Sequence, residues 1–279
     1  MKHSDNENMT EALPHAIENI DEVFKVVGTR KPVLFLDFDG TLSPIVAHAD
    51  DAMLPDKNKE IIIALAKIIT VSLISGRDRK DLKSKVNLES LIYAGSHGFD
   101  ITGPDNLEMQ YEPGQKALPL LDLAEKRLQE KLENVEGSKV ERKKYAIAVH
   151  YRNVADEKVA KVERIVQEEL DQQKDLKKGT GKKVLELKPN LDWHKGRALQ
   201  WLMNKLNFIS EEYVPIFIGD DVTDEDALKI IKEDGIGIIV GSHDQKTAAS
   251  FRLEDTDEVT EFLVHLHNRL KQGLHNEIN

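Results

Sequence analysis

The apolar run Val33-Leu34-Phe35-Leu36 passes directly into Asp37-Phe38-Asp39-Gly40-Thr41-Leu42, and this join constrains the chain more than any other stretch. A continuous apolar run marks a strand buried on both faces, as in the middle of a parallel sheet. Side chains at i and i+2 of a strand point the same way, so Asp37 and Asp39 project together past the strand end while Phe38 turns into the core. Two carboxylates placed there are costly to desolvate and demand a cation or a reaction. A simple turn would account for Asp39-Gly40 but not for Asp37, which has Phe35 and Phe38 close on either side. In open α/β sheets, ligands bind just outside such carboxyl strand ends.

At 279 residues the chain is long enough for one large domain or two modest ones. Its 39 Lys and Arg against 50 Asp and Glu give a net charge of −11, which argues against a nucleic-acid partner or an anionic membrane surface. The same charge repels an anionic substrate, so a phosphate-handling site here needs local cations. No cysteine is present, which excludes disulfides, zinc–thiolate centres and a cysteine nucleophile. The start, Met1-Lys2-His3-Ser4-Asp5-Asn6, is too polar for a signal peptide. The stretch 61–74 holds Lys67, Thr70 and Ser72 and is too short to span a bilayer. A cytoplasmic monomer with no membrane partner is expected.

The pattern predicts an outer helix over 8–27, then the first strand. A helix opens at Pro55-Asp56 and runs to 69, followed by a strand over 71–74 that ends at Ser75-Gly76-Arg77. A helix over 78–85 and a strand over 91–94 continue the alternation. This rhythm implies an α/β fold, a Rossmann-like doubly wound parallel sheet. After Tyr111 the pattern changes. Leu118, Leu121, Leu128 and Leu132 recur at helical spacing, residues 145–152 read as a strand, and Val159, Val162, Val166 and Leu170 mark a second amphipathic helix. Leu185 and Leu187 alternate with Glu186 and Lys188 in another strand. Long helices over a small antiparallel sheet predict an inserted α+β module over 112–188, within a core made of 1–111 and 189–279. The βα rhythm resumes with a helix near Trp193, a strand over 214–218, a helix over 225–232 and a strand over 236–240.

Three further segments offer the first motif its partners. Ser75-Gly76-Arg77 can present a hydroxyl, a backbone N–H and a guanidinium to a phosphoryl oxygen. Lys195 sits in the first turn of a helix, where the dipole and the ammonium together favour an anion. The apolar run Ile216-Phe217-Ile218-Gly219 delivers Asp220, Asp221 and Asp224. Carboxylates clustered at a strand end repel one another unless an oxygen-loving divalent ion sits among them, and Mg²⁺ suits a site that must also admit phosphate and water.

Together, Asp37-Phe38-Asp39-Gly40-Thr41, Ser75-Gly76-Arg77, Lys195 and Gly219-Asp220-Asp221-Val222-Thr223-Asp224 resemble the four ordered motifs of the haloacid-dehalogenase-like superfamily. Gly95-Ser96-His97-Gly98, Val149-His150-Tyr151-Arg152, Glu186-Leu187-Lys188-Pro189 and the continuation Glu225-Asp226 are similar to the trehalose-6-phosphate phosphatases within it. The resemblance runs from residue 31 to 265. It implies a Mg²⁺-dependent phosphatase with Asp37 as nucleophile and Asp39 as general acid and then base. It also implies a metal site of Asp37, the Asp39 backbone carbonyl and Asp220, supported by Asp221 and Asp224. Lys195 would bridge nucleophile and phosphoryl oxygens, Ser75 would donate to them, and Arg77 would reach the substrate. Glu141, Lys143, Arg152, Glu186, Lys188 and Asn190 match the pattern of a cap that grips sugar hydroxyls. A carboxylate beside a cation suits that task, accepting from one hydroxyl and donating to another; a solvated charged strand face is the competing reading.

Departures and alternatives stand beside this. The lead-in Leu191-Asp192-Trp193-His194 differs from the shorter apolar-plus-Asn approach usual before the lysine, which leaves Trp193 and His194 to packing. Gly179-Thr180-Gly181-Lys182-Lys183 lacks the spacing of a phosphate loop and reads as a hairpin turn. His97, between glycines, reads as a turn residue. Another sugar phosphate, such as sucrose phosphate or mannosyl-phosphoglycerate, remains an alternative substrate. An inactive sugar-phosphate sensor is disfavoured because Asp37, Asp39, Lys195 and Asp220 are all present.

Overall fold

Helix α1 (Ile20–Val27) leads into strand β1 (Lys31–Leu36), in which every residue after Lys31 is buried. The structure, a computed structural model, describes residues 13–46, 48–181, 183–242 and 246–278. These form two compact units: the residues up to Glu108 together with those from Trp193 onward, and Met109–Asp192. Among the described residues no helix is long and apolar enough to cross a membrane.

In the first unit, β1 is followed by α2 (Asp56–Ala66), β2 (Val71–Ile74), α3 (Arg79–Val86), β3 (Ile92–Gly95) and β4 (Asp100–Thr102), and β5 (Glu108–Gln110) spans the boundary between the units. Next in the chain come the elements of the second unit: α4 (Glu112–Lys116), α5 (Leu118–Leu132), β6 (Lys139–Lys143), β7 (Ala146–His150), α6 (Asp156–Gln172), β8 (Leu176–Gly181) and β9 (Val184–Pro189). The first unit is completed by α7 (Lys195–Lys205), β10 (Tyr213–Gly219), α8 (Glu225–Ile231), β11 (Ile236–Val240), β12 (Phe251–Leu253) and α9 (Thr256–Ile278).

The large sheet has the order β12-β11-β10-β1-β2-β3-β4-β5. Its pairs from β12 to β3 are parallel, and β4 returns antiparallel to β3. β1 therefore lies at the point where the chain reverses its direction of travel across the sheet, the position where α/β folds place ligands. The continuous apolar run has a simple cause. Leu34, Leu36, Ile216 and Ile218 pack with Ile62, Leu65, Val259 and Phe262 in one cluster, and the alternate residues Phe35 and Phe217 are fully buried as well. A strand covered on both faces has no position at which a polar residue is cheap.

The second unit is a four-stranded antiparallel sheet in the order β6-β7-β9-β8. Ile147, Val149, Leu185 and Leu187 share a cluster with Leu121 and Leu128 of α5 and with Val162 and Val166 of α6. The period of two then sends Glu141, Lys143, Ala148, Glu186 and Lys188 to the opposite face. Glu141 pairs with Ala148, and Ala148 pairs with Glu186.

The helix expected over 8–27 is shorter. Residues 8–12 lie outside the described residues, and helix begins only at Ile20. Its expected middle is instead tied to β12: the Arg252 N–H donates to the Pro14 carbonyl and the Ala16 N–H to the Arg252 carbonyl. Sheet-like pairing there, after a proline that cannot extend a helix backwards, outcompetes helical spacing. The helix near Trp193 starts at Lys195 because His194 is fully extended, with φ −159°.

Candidate active site

β1 and β10 run side by side with Leu36 level with Ile218, and the Asp37 N–H continues the ladder onto the Ile218 carbonyl at 3.0 Å. The register brings the carboxyl ends of both strands to one place, with Asp37 at one end and Gly219-Asp220 at the other. Asp37 is only 5% exposed.

Beyond Asp37 the chain closes a tight turn in which Leu42 and Ser43 donate to the Phe38 carbonyl and Gly40 donates to that of Ser43. Gly40 has φ +81°, and a Cβ on it would lie 2.1 Å from Asp220 Oδ2. Only glycine fits both the left-handed backbone and the close carboxylate. The Thr41 hydroxyl donates to Asp220 Oδ1 at 3.5 Å. From behind, buried Asn58 of α2 donates to the Leu42 carbonyl at 2.7 Å and accepts from Thr260 of α9. The first motif includes Thr41 without assigning it a task of its own, and sequence reading missed Asn58. Nothing local marks Asn58, whose partners lie in other elements.

At the end of β2 the Ser75 hydroxyl is buried and accepts from the Arg77 N–H at 3.2 Å. The Arg77 guanidinium donates to both oxygens of Asp39, through Nε and Nη2, each at 2.7 Å. It also donates to Asp81 at 2.8 Å and to the Ala49 carbonyl at 2.7 Å.

At the end of β10, Asp224 is fully buried and its Oδ2 accepts from the N–H groups of Asp220 and Asp221. Asp221 is exposed and caps the following helical turn, accepting from the Val222 N–H at 2.6 Å. Lys195, the first residue of α7 and 3% exposed, holds Asp37 Oδ1 at 2.8 Å and Asp224 Oδ1 at 2.7 Å.

These charges do not balance. Burial pushes the Asp37 carboxyl well above its ordinary range; Lys195 opposes this, and Asp224 and Asp220 add to it. Asp220 is pushed up to about 7, by burial first and then by Asp224. For Lys195, burial alone would lower the pKa, but Asp224 and Asp37 outweigh it and the net shift is upward. The ammonium therefore stays charged, and it pairs with two of these three carboxylates, Asp37 and Asp224.

The sugar-recognition residues predicted from sequence fall in the second unit. Lys143 Nζ lies 3.3 Å from Glu186 Oε1, and His150 Nε2 lies 2.8 Å from Glu141 Oε2. Lys188 follows on the same face of β9. Gly179 of β8 pairs with Glu186, and a Cβ there would lie 3.3 Å from both Glu186 and Lys188, so at that one position β8 puts no side chain against them. Arg152 and Asn190 follow the ends of β7 and β9; the Asn190 amide donates to the Lys174 carbonyl at 3.2 Å.

The trehalose-phosphatase family profile matches residues 35–257, most of the chain and all of the site. The chain belongs to the trehalose-phosphatase family. It is 39% identical over 258 residues to a rice protein named probable trehalose-phosphate phosphatase 4, covering 91% of this chain and 70% of that one. It is 35% identical to trehalose-phosphate phosphatase B of Arabidopsis thaliana, covering 94% and 74%. In fold it is similar to the C-terminal domain of Candida albicans trehalose-6-phosphate phosphatase, with a TM-score of 0.76 at 22% identity, covering 92% and 99%. Membership makes the chain a phosphoric monoester hydrolase of the haloacid-dehalogenase-like fold, a class that uses a divalent metal.

The residues of this trehalose-phosphatase chain fit such an ion. Asp37, Asp220 and Asp224 each offer a carboxylate oxygen, and the three oxygens lie within 4.8 Å of one another. They carry more buried negative charge than Lys195 can offset, and an all-oxygen donor set suits a hard cation. The side chains of Asp39 and Asp221 lie outside this triad, turned to Arg77 and to the cap of the helical turn.

Proposed function

We propose that the protein hydrolyses trehalose 6-phosphate to trehalose and inorganic phosphate, with Mg²⁺ as its metal and Asp37 as the nucleophile. The observation that carries this reading is the convergence of Asp37, Asp220, Asp224 and Lys195 at the adjoining ends of β1, β10 and α7, in a chain whose relatives carry that activity in their names.

In the first half-reaction an Asp37 oxygen attacks phosphorus, the bond from phosphorus to the sugar oxygen breaks, and Asp39 gives its proton to the departing oxygen. In the second, water attacks the aspartyl phosphate and passes a proton to Asp39. The Asp37–phosphorus bond then breaks and phosphate leaves. Lys195 orients Asp37 and offsets charge on the transferring group. The Ser75 hydroxyl already accepts from the Arg77 N–H, so its own hydrogen is left to donate to a phosphoryl oxygen. Asp37, Asp220 and the Asp39 carbonyl would hold Mg²⁺, with Asp224 and Asp221 supporting them, and the bound ion would supply further neutralisation of the phosphoryl charge. The unit Met109–Asp192 acts as the cap that selects the sugar, through the paired charges of Glu141, Lys143, Glu186 and Lys188 together with Arg152 and Asn190.

Phosphate release tests the reading. It should be fastest from trehalose 6-phosphate among trehalose 6-phosphate, sucrose phosphate and mannosyl-phosphoglycerate, and it should stop when a chelator removes divalent ions. Equal release from all three, or release that survives chelation, contradicts it.

A further inference from the structure

Arg77 was expected to reach the substrate, yet most of its donors already have acceptors within the protein. A guanidinium carries five N–H groups, and four of them point at Asp39, at Asp39 again, at Asp81 and at the Ala49 carbonyl. The group is 10% exposed and lies over the Phe38 ring, 5.5 Å from its centroid. Phe38 separates the two aspartates in sequence, so Arg77 is braced on the same turn that carries them. Asp39 is 40% exposed, and Arg77 engages each of its oxygens once. A carboxylate has about four lone-pair sites; Arg77 fills two, one of the outward pair holds the proton that Asp39 delivers, and the adjacent guanidinium favours the anion left when that proton departs. Fork-to-fork pairing of this kind fixes the plane of the carboxylate as well as its position.

The backbone beneath Arg77 is fixed too. The Ser96 N–H donates to the Arg77 carbonyl at 2.7 Å and the His97 N–H to the Ser75 carbonyl at 2.8 Å. Ser96, His97 and Gly98 are successive left-handed residues, with φ of 51°, 56° and 92°. Non-glycine residues in that region are strained and persist where surrounding structure over-determines them. A Cβ on Gly76 would lie 3.1 Å from the His97 ring, so the two turns are closely packed.

We infer that Arg77 is a positioning residue for Asp39: it aims the carboxylate that hands a proton to the leaving sugar oxygen and does not itself grip the phosphoryl group. This rests on the proposed function, in which the phosphorus–oxygen bond to the sugar breaks as Asp39 delivers its proton. A misaimed Asp39 penalises a sugar alkoxide, which cannot leave unprotonated. It spares nitrophenolate, a stable anion that needs no proton.

The test measures kcat/KM, which covers all steps up to departure of the leaving group, for trehalose 6-phosphate and for p-nitrophenyl phosphate. It compares the intact Mg²⁺-loaded chain with Arg77→Ala, Arg77→Lys and Asp81→Asn, and records inhibition by inorganic phosphate for each. Arg77→Ala should lower kcat/KM for the sugar phosphate by about 10²-fold or more and for the nitrophenyl ester by no more than about tenfold. Inhibition by phosphate should stay unchanged. Arg77→Lys should not restore the sugar-phosphate rate, because an ammonium cannot form the fork. Asp81→Asn removes one brace from outside the site and should show the same selectivity in weaker form, which keeps the test decisive if Arg77→Ala does not fold. Equal losses on both substrates, with weakened phosphate inhibition, would overturn the inference and make Arg77 a substrate ligand. No loss on either substrate would overturn it as well. Failure of the unmutated chain to release phosphate from trehalose 6-phosphate would instead sink the proposed function, a distinct result.

Discussion

Lys195 Nζ stands 2.8 Å from Asp37 Oδ1 and 2.7 Å from Asp224 Oδ1, so a single buried ammonium joins carboxylates at the ends of two neighbouring strands. It offsets part of the charge gathered there, and under the proposed function Asp220 is left to a metal. The consequences of that imbalance can be measured.

Lys195→Met should abolish turnover and destabilise the metal-free fold. Removing one partner of a buried ion pair leaves uncompensated charge, at a cost of about 3–5 kcal/mol. Urea denaturation without divalent ions checks the loss. An unchanged midpoint would mean that the cluster is solvated more freely than its burial indicates.

Asp37→Asn should lower turnover by about 10⁴-fold or more, as loss of a nucleophile does. The fold should remain, because the substitution takes charge out of a cluster that has too much. Phosphate release and thermal melting together check both halves.

Metal binding should stabilise the protein more at pH 8 than at pH 5. Burial holds the Asp37 carboxyl above its ordinary range and takes Asp220 to about 7, so the folded metal-free protein retains protons that the unfolded chain has released. For carboxyls raised in this way, the stability they contribute is full below the unfolded value of 3.8 and is lost as pH rises through about 7. Mg²⁺ relieves a repulsion that exists only once those protons are gone. Melting curves with and without Mg²⁺ at the two pH values check this, and an equal or larger gain at pH 5 would contradict it.

Gly40→Ala should cost about 1–3 kcal/mol and most of the metal-dependent activity, since the added methyl meets Asp220 Oδ2 in a left-handed backbone. Activity measured across a Mg²⁺ titration separates the two effects: a displaced Asp220 raises the Mg²⁺ needed for half-maximal rate.

Glu186→Gln and Lys143→Ala should each raise KM for trehalose 6-phosphate and leave p-nitrophenyl phosphate turnover nearly unchanged, because their proposed task is the sugar. A parallel loss on both substrates would assign the pair to the integrity of its own sheet.

The parts of the fold legible from sequence were those where burial leaves no freedom. β1 after Lys31 and β10 after Tyr213 are buried on both faces, so those residues had to be apolar, and the carboxylates that follow stand out against that background. α5 and α6 each bury one stripe and show its period. β6, Lys-Val-Glu-Arg-Lys, was not legible as a strand, because only one of its five residues is apolar. β12 has three residues and depends on β11 and on the extended segment at Pro14 and His15. The proximity of Asp37, Asp220 and Lys195 could be anticipated, since strand ends and a helix start converge in a doubly wound sheet. The partner of Arg77 could not. Several carboxylates lie within reach in sequence, and only the turn after β1 decides that Asp39 receives both of its arms.

The central claim is that Asp37 carries the phosphoryl group in transit. Rapid acid quenching of the Mg²⁺-loaded protein during turnover of phosphorus-labelled trehalose 6-phosphate, followed by peptide mapping, tests it directly. The account predicts transient label on the peptide containing Asp37, lost on the timescale of turnover and absent in Asp37→Asn. Label on another residue, or steady phosphate release with no labelled peptide at any quench time, would contradict it.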